Sequence, residues 1–258
     1  MLNWKIFRLG TLLVFSVLLI LQFWHPISHW FFVLPLLMAV VYFVHGTCTL
    51  SANLHFRSLC RSEMNERKVT LTFDDGPCPI QTHKILDILK SEDVKATFFC
   101  VGKNVAKHPE IINRMVREGH SVGNHSWNHS WNFPFHSRNS IKKNIASCGE
   151  ALFKACGKEV KLFRPPFGVA SPTIGGAIAD LSLISIGWNI RSFDTVIKNR
   201  GKILRRIGKQ LKPGSIILLH DTLPNAHFLL TDLLKYLKDN QYAAVSLNNL
   251  FGLDEFEK

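Results

Sequence analysis

The chain has 258 residues, enough for one large domain or for a medium-sized domain with an appendage. Hydrophobic residues make up 47% of it, which excludes a disordered polar chain. The 31 Lys and Arg residues against 19 Asp and Glu give a formal net charge of +12, which suits a membrane surface, an anionic substrate or nucleic acid. No zinc-finger, RNP-type or basic-zipper pattern accompanies this charge, so a nucleic-acid partner is the least favoured of the three.

The six cysteines form no C-x-x-C pair and their spacing is not that of a disulfide framework. Cys100 lies in the apolar run TFFCVG, where a buried free thiol is expected. The cysteines therefore favour a reducing compartment.

Two uncharged apolar segments occupy the N-terminal part of the chain, at about residues 9–24 and 30–45. Each approaches the roughly 20 residues that span a hydrocarbon core, and tryptophans lie at their ends, where aromatic belts form. We therefore predict that residues 1–46 are a membrane anchor folded as a hairpin. A cleaved signal peptide would need a small-x-small site after the first segment, and none follows it. Buried core helices are the other alternative, but two successive uncharged runs at the N-terminus are unusual for them.

The basic residues around the anchor bear on its orientation. Lys5 and Arg8 favour a cytoplasmic N-terminus, and a hairpin would return the main domain to the cytoplasm. The basic residues that follow the second segment agree with this orientation: Arg57, Arg61, Arg67 and Lys68. If only one segment spans the membrane and the other is interfacial, the domain faces outward, and the sequence leaves both topologies open.

Strand-like and helix-like segments alternate over residues 66–258, after a predicted linker at residues 47–65 that has no strong pattern. The predicted strands are KVTLTF, VKATFFCVG, VKLFRPP, SLISIGWNI and SIILLHD. This alternation predicts an α/β fold with parallel strands and helices outside, as an open sheet or a barrel. In such folds the chemistry gathers at the carboxyl ends of the strands.

Polar side chains follow the predicted strands at the points where those strands end. Asp74 and Asp75 end the first strand, and a later loop carries two histidines in GNHSWNHSWN. The complete set of these side chains is Asp74, Asp75, His125, His129, Arg164, Asp194 and His220. Their convergence at one edge predicts a single site.

The residue types at this edge predict metal-assisted amide hydrolysis. His125 and His129 are four residues apart, a spacing that would put both imidazoles on one face of a helical turn. Together with one carboxylate they form a three-ligand site for Zn²⁺ or a similar divalent ion. The other aspartate is expected to act as general base, with a pKa kept low by the ion and a nearby arginine. His220 suits the general acid, and a carboxylate such as Asp194 would keep its imidazole protonated near neutral pH.

Five motifs in order resemble those of the polysaccharide deacetylases, the NodB-homology family of carbohydrate esterases. They are TFDDGP, HSWNH, RPPFG, a W…D segment and LLH, and the resemblance covers residues 66–258. It implies a distorted TIM-like (β/α) barrel that removes N-acetyl, sometimes O-acetyl, groups from sugars. It also implies one divalent metal ion as cofactor, zinc in the first place, with cobalt, nickel or another divalent ion as alternatives.

Carried over by position, the resemblance implies a role for each site residue. The metal ligands would be Asp75, His125 and His129, and the catalytic residues Asp74 as base, Arg164 to orient it, His220 as acid and Asp194 to tune that acid. The substrate-binding residues would be Pro166, Phe167, whose backbone N–H donates to the oxyanion, Trp188, and Leu218, which lines the acetyl pocket.

Two positions depart from the family pattern. Thr195 follows Asp194 where the family often has Trp, and Trp188, six residues before Asp194, is placed to close the pocket instead. Phe167 stands where the family has Tyr. Neither position touches the metal or the acid, so the departures bear on substrate preference.

The leading hypothesis is a membrane-bound amidohydrolase that acts on an N-acetylated glycan of the cell envelope, such as peptidoglycan or a chitin-like oligomer. A second hypothesis is deacylation or deformylation of a lipid-linked sugar at the cytoplasmic membrane surface, where the basic helix GKILRRIGKQ could attract lipid phosphates. Such a helix is more often only a solvated face. A third is a non-catalytic glycan-binding homologue, which would be favoured by loss of the base, a ligand or the acid. The sequence indicates no obligate protein partner.

Overall fold

The computed structural model describes residues 4–253, with the backbone alone for residues 4 and 5. The side chain of Lys5, used above to predict orientation, lies outside the described part, as do residues 254–258 at the end of the predicted catalytic domain.

Two apolar helices open the described chain, α1 (Trp4–Trp24) and α2 (Trp30–Cys48). The spans Ile6–Trp24 and Trp30–Cys48, of 19 residues each, are long and apolar enough to cross a membrane by length and composition. The helices run antiparallel, because the ring of Phe7 near the start of α1 lies 4.4 Å from that of Tyr42 near the end of α2. Nearly all of their surface is exposed, so they share little contact with the rest of the molecule.

The remaining chain alternates short strands with longer helices. The strands are β1 (Ser58–Leu59), β2 (Lys68–Asp74), β3 (Thr97–Cys100), β4 (Ser121–Asn124), β5 (Leu162–Phe163), β6 (Ile184–Ile186), β7 (Ile190–Arg191), β8 (Ser215–His220) and β9 (Ala243–Ala244). The helices are α3 (Gln81–Ser91), α4 (Gly102–Lys107), α5 (Pro109–Arg117), α6 (Arg138–Cys156), α7 (Pro172–Asp180), α8 (Arg200–Gln210), α9 (Ala226–Asp239) and α10 (Leu247–Phe251).

The nine strands form one curled sheet in the order β1-β6-β5-β4-β3-β2-β8-β7, with β9 paired to the start of β2. All strand pairs are parallel, so the carboxyl ends of the strands share one edge. The predicted distorted (β/α) barrel is confirmed. Among the described residues β1 and β7 are not paired with each other, so the barrel stays open there.

Strand β2 shows how the barrel separates its core from its site. Val69, Leu71 and Phe73 pack into the main hydrophobic core together with the inner faces of α3, α5 and α9. Because successive side chains of a strand point to opposite faces, Thr70, Thr72 and Asp74 face the barrel interior. The longest strand is therefore apolar on its helix side and polar on its inner side, and its last residue is a carboxylate.

The segment 47–65, predicted to be a linker, is packed onto the domain instead. Its strand β1 forms the edge of the sheet beside β6, and Leu50 and Cys60 are buried against Ala170. A strand of two residues is too short to leave an alternating pattern, which is why the sequence did not show it. The sequence pattern also does not predict strand β4 or helices α4 and α7. The six cysteines are free thiols.

Candidate active site

The carboxyl ends of the parallel strands bring the predicted side chains together. In the register of β2 and β8, Asp74 lies directly beside His220. Neighbouring strands are about 4.8 Å apart, so the hydrogen-bond ladder itself fixes the separation of these two backbones. Asp75 and His125 follow the last residues of β2 and β4, and Arg164 follows β5 directly.

Asp75, His125 and His129 form a cluster whose potential ligand atoms all lie within 4.8 Å of one another. Oδ1 of Asp75 is 3.6 Å from Nε2 of His125 and 3.4 Å from Nε2 of His129. The prediction that a helical turn brings the two histidines together is wrong, because residues 125–130 form a loop. Ser126 and His129 adopt positive φ angles of 68° and 48°. These two changes of backbone direction bring the two imidazoles together in place of the expected helical turn.

The donor set fits a divalent ion such as zinc, cobalt or nickel, for which imidazole and carboxylate ligands are suited. Nδ1 of His125 donates a hydrogen bond to the main-chain oxygen of Arg164 at 2.8 Å, which leaves Nε2 unprotonated and aimed at Asp75. Burial, with the neighbouring His129, lowers the pKa of His125 to about 3, so the ring is neutral as a ligand must be. Asn104 braces the carboxylate residue through a 2.9 Å hydrogen bond to the main-chain oxygen of Asp75.

Asp74, the predicted base, is buried beside the guanidinium of Arg164. Nη1 of Arg164 donates to Oδ1 of Asp74 at 2.6 Å and to Oγ1 of Thr72 at 2.9 Å. Main-chain oxygens of Ile186 and Gly187 accept its other hydrogen bonds, so this fully buried cation is held rigidly. Burial raises the pKa of Asp74 above its ordinary value although Arg164 opposes the shift. Among the protein's own groups desolvation thus outweighs the arginine, so the low pKa expected for this carboxylate depends on the ion.

His220, the predicted acid, is hydrogen-bonded to the predicted tuning carboxylate. Nδ1 of His220 donates to Oδ1 of Asp194 at 2.8 Å, and the backbone N–H of His220 donates to Oδ2 at 2.9 Å. Burial by itself would lower the pKa of His220, but the hydrogen bond and charge of Asp194 outweigh it, and the pKa is raised. When the imidazole of His220 is protonated, its Nε2 therefore carries a proton that is not used in the bond to Asp194. Ser192 also donates to Asp194, at 2.9 Å.

The residues predicted to bind substrate line one wall of the site. The ring of Phe167 lies 4.4 Å from that of the predicted ligand His129, and the backbone of Phe167 has a positive φ of 60°. The ring of Trp188 covers the backbone of Gly168, where a Cβ would overlap it, and lies 5.5 Å from the guanidinium of Arg164. Pro166 is buried beside Phe167, and Leu218 is buried on the inner face of β8 beneath His220.

Asp221 is a site neighbour to which the sequence reasoning gave no role. Its carboxylate covers Gly76, where a Cβ would overlap it, and accepts a 2.6 Å hydrogen bond from Thr82. Burial raises the pKa of Asp221 to about 7, and its Oδ1 has no hydrogen-bond partner among the described residues. The sequence does place an aspartate directly after His220. The neighbouring residues, however, do not distinguish a buried aspartate that supports the site from a solvated aspartate in a turn.

The fold and the site are those of an α/β-barrel hydrolase, because one barrel edge carries a buried aspartate, a histidine paired with a carboxylate and a cluster suited to a divalent ion. The sequence profile of the family described as polysaccharide deacetylase matches residues 61–184. The chain belongs to this family, since it is 33% identical over 193 residues to a chitooligosaccharide deacetylase of Sinorhizobium fredii, covering 74% of the chain and 88% of that protein. The family predicted from the five motifs is confirmed.

Two further comparisons agree. A peptidoglycan-N-acetylglucosamine deacetylase of Listeria monocytogenes is 32% identical over 186 residues, which cover 72% of the chain and 39% of that longer protein. The chain thus spans about two fifths of the length of this relative. The crystal structure of the Bc1960 peptidoglycan N-acetylglucosamine deacetylase superposes with a TM-score of 0.72 at 29% identity, covering 78% of this chain and 95% of that one.

Proposed function

We propose that this chain is a metal-dependent amidohydrolase that removes N-acetyl groups from amino sugars of glycans. The observation that carries the proposal is the placement of Asp74 and His220 side by side in register, next to the Asp75, His125 and His129 cluster. Relatives named as deacetylases of chitooligosaccharide and of peptidoglycan support the amino sugar as substrate class. Neither the base, nor a ligand, nor the acid is missing, which argues against a non-catalytic homologue.

Asp75, His125 and His129 would hold the ion, which when bound polarises the substrate carbonyl and activates water. Asp74 takes the proton from the attacking water, and Arg164 fixes the orientation of that carboxylate. The backbone N–H of Phe167 donates to the developing oxyanion. His220 then delivers its Nε2 proton to the leaving nitrogen, and Asp194 compensates for the charge of the imidazolium. The amide C–N bond breaks, and acetate and a free amino sugar are the products.

The test is acetate release from an N-acetylated chito-oligosaccharide by the full chain, first stripped with a chelator and then given zinc, cobalt or nickel. Asp74→Asn should retain the metal and lose turnover by about 10²–10⁴-fold, as expected for removal of a general base. His125→Ala should lose the metal as well, measured by elemental analysis. Full turnover in Asp74→Asn, or an unchanged metal content in His125→Ala, would contradict the assigned roles.

We also propose that α1 and α2 form a membrane hairpin with the N-terminus and the catalytic domain on the cytoplasmic side. Their antiparallel contact and exposed apolar surfaces support a hairpin. Arg8 lies in the first turn of the first span, Arg57 and Arg61 follow the second span, and the turn at residues 25–29 carries no Lys or Arg, which is the positive-inside pattern.

The exposed thiol of Cys48 at the end of α2 reports the side directly. A membrane-impermeant maleimide should leave it unlabelled in intact cells and label it after permeabilisation, with Cys48→Ser giving the background from the other cysteines. Labelling of intact cells at the permeabilised level would place the domain outside and contradict this topology.

A further inference from the structure

Exposed apolar side chains of the catalytic domain gather around the mouth of the site. Within residues 49–253, seven large apolar side chains are exposed, and six of them lie on the loops or first helical turns that follow strand carboxyl ends. These six, which we call the apolar rim, are Ile80, Trp131, Phe135, Phe167, Val196 and Phe228. The seventh, Phe153, lies on α6 away from this edge. A soluble domain normally scatters such side chains, so their concentration on one face points to a contact surface.

The second apolar helix ends at the same edge of the barrel. The main-chain oxygen of Thr47, in the last turn of α2, accepts a 2.8 Å hydrogen bond from the N–H of Ala170. Ala170 belongs to the loop after β5 that also carries Phe167, and it is buried against Leu50 and Cys60. The membrane helix and the wall of the site are therefore joined by direct contacts and not by a flexible tether.

The distances place the site near the headgroups. Phe167 is three positions before Ala170 in the chain, so their Cα atoms are at most about 11 Å apart. The ring of Phe167 contacts that of His129, a predicted metal ligand, at 4.4 Å. The helix is exposed up to His45 and first becomes buried at Gly46, which puts the end of the hydrocarbon-facing part within one turn of Thr47. The headgroup layer is roughly 5–8 Å deep on each side of the core, so the loop that carries Phe167 starts at the depth of this layer.

The chemistry of the rim favours lipid over a glycan polymer. Four rim residues are aromatic and have flat faces on which a sugar ring can stack, but Ile80 and Val196 are aliphatic and have none. Beside Val196, a groove of about 530 Å³ runs from Asp194 to Phe228 and is lined by the cations Lys198 and Arg200, the latter also paired with Asp232 at 3.2 Å. Apolar side chains next to cations are the composition that binds phosphate-bearing lipid surfaces.

We infer that the apolar rim lies in the headgroup layer of the bilayer and that the site takes an amino sugar linked through a phosphate to a membrane lipid. This inference rests on the proposed function and narrows its substrate. Water adds to the amide carbonyl, the C–N bond breaks, and the nitrogen takes the proton, so acetate is released and a free amine stays on the lipid-linked sugar. The phosphate of the lipid would lie in the groove of Lys198 and Arg200.

The first test compares two substrates with the full chain reconstituted in vesicles of phosphatidylethanolamine and phosphatidylglycerol. One substrate is a soluble N-acetylated chito-oligosaccharide, and the other is N-acetylglucosamine joined through a phosphate to a long-chain alcohol in the same vesicles. The double variant Phe135→Ser/Val196→Ser should lose about tenfold or more of its rate on the lipid-linked substrate, because it removes two apolar side chains that would be buried in the bilayer. Its rate on the soluble substrate should stay unchanged. The matched control Phe153→Ser should change neither rate.

The outcomes separate this inference from the proposed function. An equal loss on both substrates would mean that the rim binds glycan and would overturn the inference, as would no loss on either. Turnover of the soluble substrate alone by the unmodified chain would also overturn it and leave the proposed function standing. Acetate release from neither substrate, with metal present, would overturn the proposed function and the inference with it.

A second test needs no activity. Phe135 or, as control, Phe153 is replaced by the photocrosslinker p-benzoylphenylalanine in the reconstituted chain, and adducts are identified by mass spectrometry. Lipid adducts should form at position 135 and not at position 153. Equal yields at the two positions, or none at 135, would show that the rim does not contact the bilayer.

Discussion

His125 follows β4 and His220 ends β8, at the same edge of the sheet, and the two histidines differ in the hydrogen-bond acceptor of their Nδ1 atoms. Nδ1 of His125 donates to a neutral main-chain oxygen, and Nδ1 of His220 donates to the carboxylate of Asp194, both at 2.8 Å. Beside the neutral partner burial dominates and the pKa falls to about 3, whereas beside the carboxylate the pKa is raised. The acceptor of Nδ1, together with the neighbouring His129 in the case of His125, thus distinguishes the predicted ligand from the predicted acid.

The largest expected effect tests this division directly with His125→Gln and His220→Gln. His220→Gln should keep the metal and lose about 10²–10⁴-fold in kcat, as for removal of a general acid. His125→Gln should lose both the metal and the activity. Elemental analysis alongside acetate release distinguishes the two, and loss of metal from His220→Gln would show that the two sides of the site are not separate.

Asp194→Asn makes the environment of His220 resemble that of His125. With a neutral partner, burial lowers the pKa of His220, so the protonated acid is scarce at pH 7 and kcat should fall about 10–100-fold. The unmodified enzyme should lose activity as the pH rises through the raised pKa of His220, and the variant should lose it at lower pH. The stability that the pair contributes is complete below the unfolded pKa and is lost as the pH rises through the folded pKa, so the variant should lack this dependence.

The control for Asp194→Asn is Asp232→Asn, which removes a carboxylate from the exposed pair with Arg200 and should leave the pH profile unchanged. A pH profile for Asp194→Asn that coincides with that of the unmodified enzyme would mean that Asp194 does not set the pKa of His220.

Asp221 extends the comparison to a carboxyl group that has only a hydroxyl partner. Its pKa of about 7 in the folded chain lies above the ordinary value, so its ionisation destabilises the fold increasingly as the pH rises from 4 to 7. Asp221→Asn keeps a neutral group of the same shape against Thr82 and should stabilise the chelator-treated protein by about 1 kcal/mol or more at pH 8, with little effect at pH 4. Thermal unfolding at the two pH values measures the difference, and a stabilisation of equal size at both would exclude ionisation as its cause.

Ser192→Ala should have the smallest effect. It removes one of the donors to Asp194 and leaves the bonds from His220 in place. A buried hydrogen bond contributes about 1 kcal/mol, so stability should fall by about that amount and kcat by no more than a few-fold. A loss as large as that of Asp194→Asn would mean that the serine, not the histidine, holds the carboxylate in place.

Five of the seven site residues could be predicted because charged side chains are disfavoured in strands and these five follow apolar runs: Asp74, Asp75, Arg164, Asp194 and His220. The remaining two, His125 and His129, were indicated by their spacing alone. The loop that holds His125 and His129 could not be predicted, because its positive φ angles occur at Ser126 and His129 and not at glycines, which would have indicated them. The same holds for β1, whose burial depends on partners more than 120 residues away. The apolar rim cannot be seen in the sequence either, since its residues come to one edge of the barrel only when the strand ends meet.

The contact between Thr47 and Ala170 determines which first residue should be chosen for a truncated protein without the apolar helices. A fragment starting at residue 66 would omit β1 and remove Leu50 and Cys60 from their packing against Ala170. The loop that carries Phe167 and Ala170 would then be exposed to solvent on the side that Leu50 and Cys60 now cover. Strand β6 would become an unpaired edge of the sheet, the kind of edge that pairs with other chains. A fragment starting at residue 47 keeps all of these contacts, so the practical boundary of the domain lies in the last turn of α2.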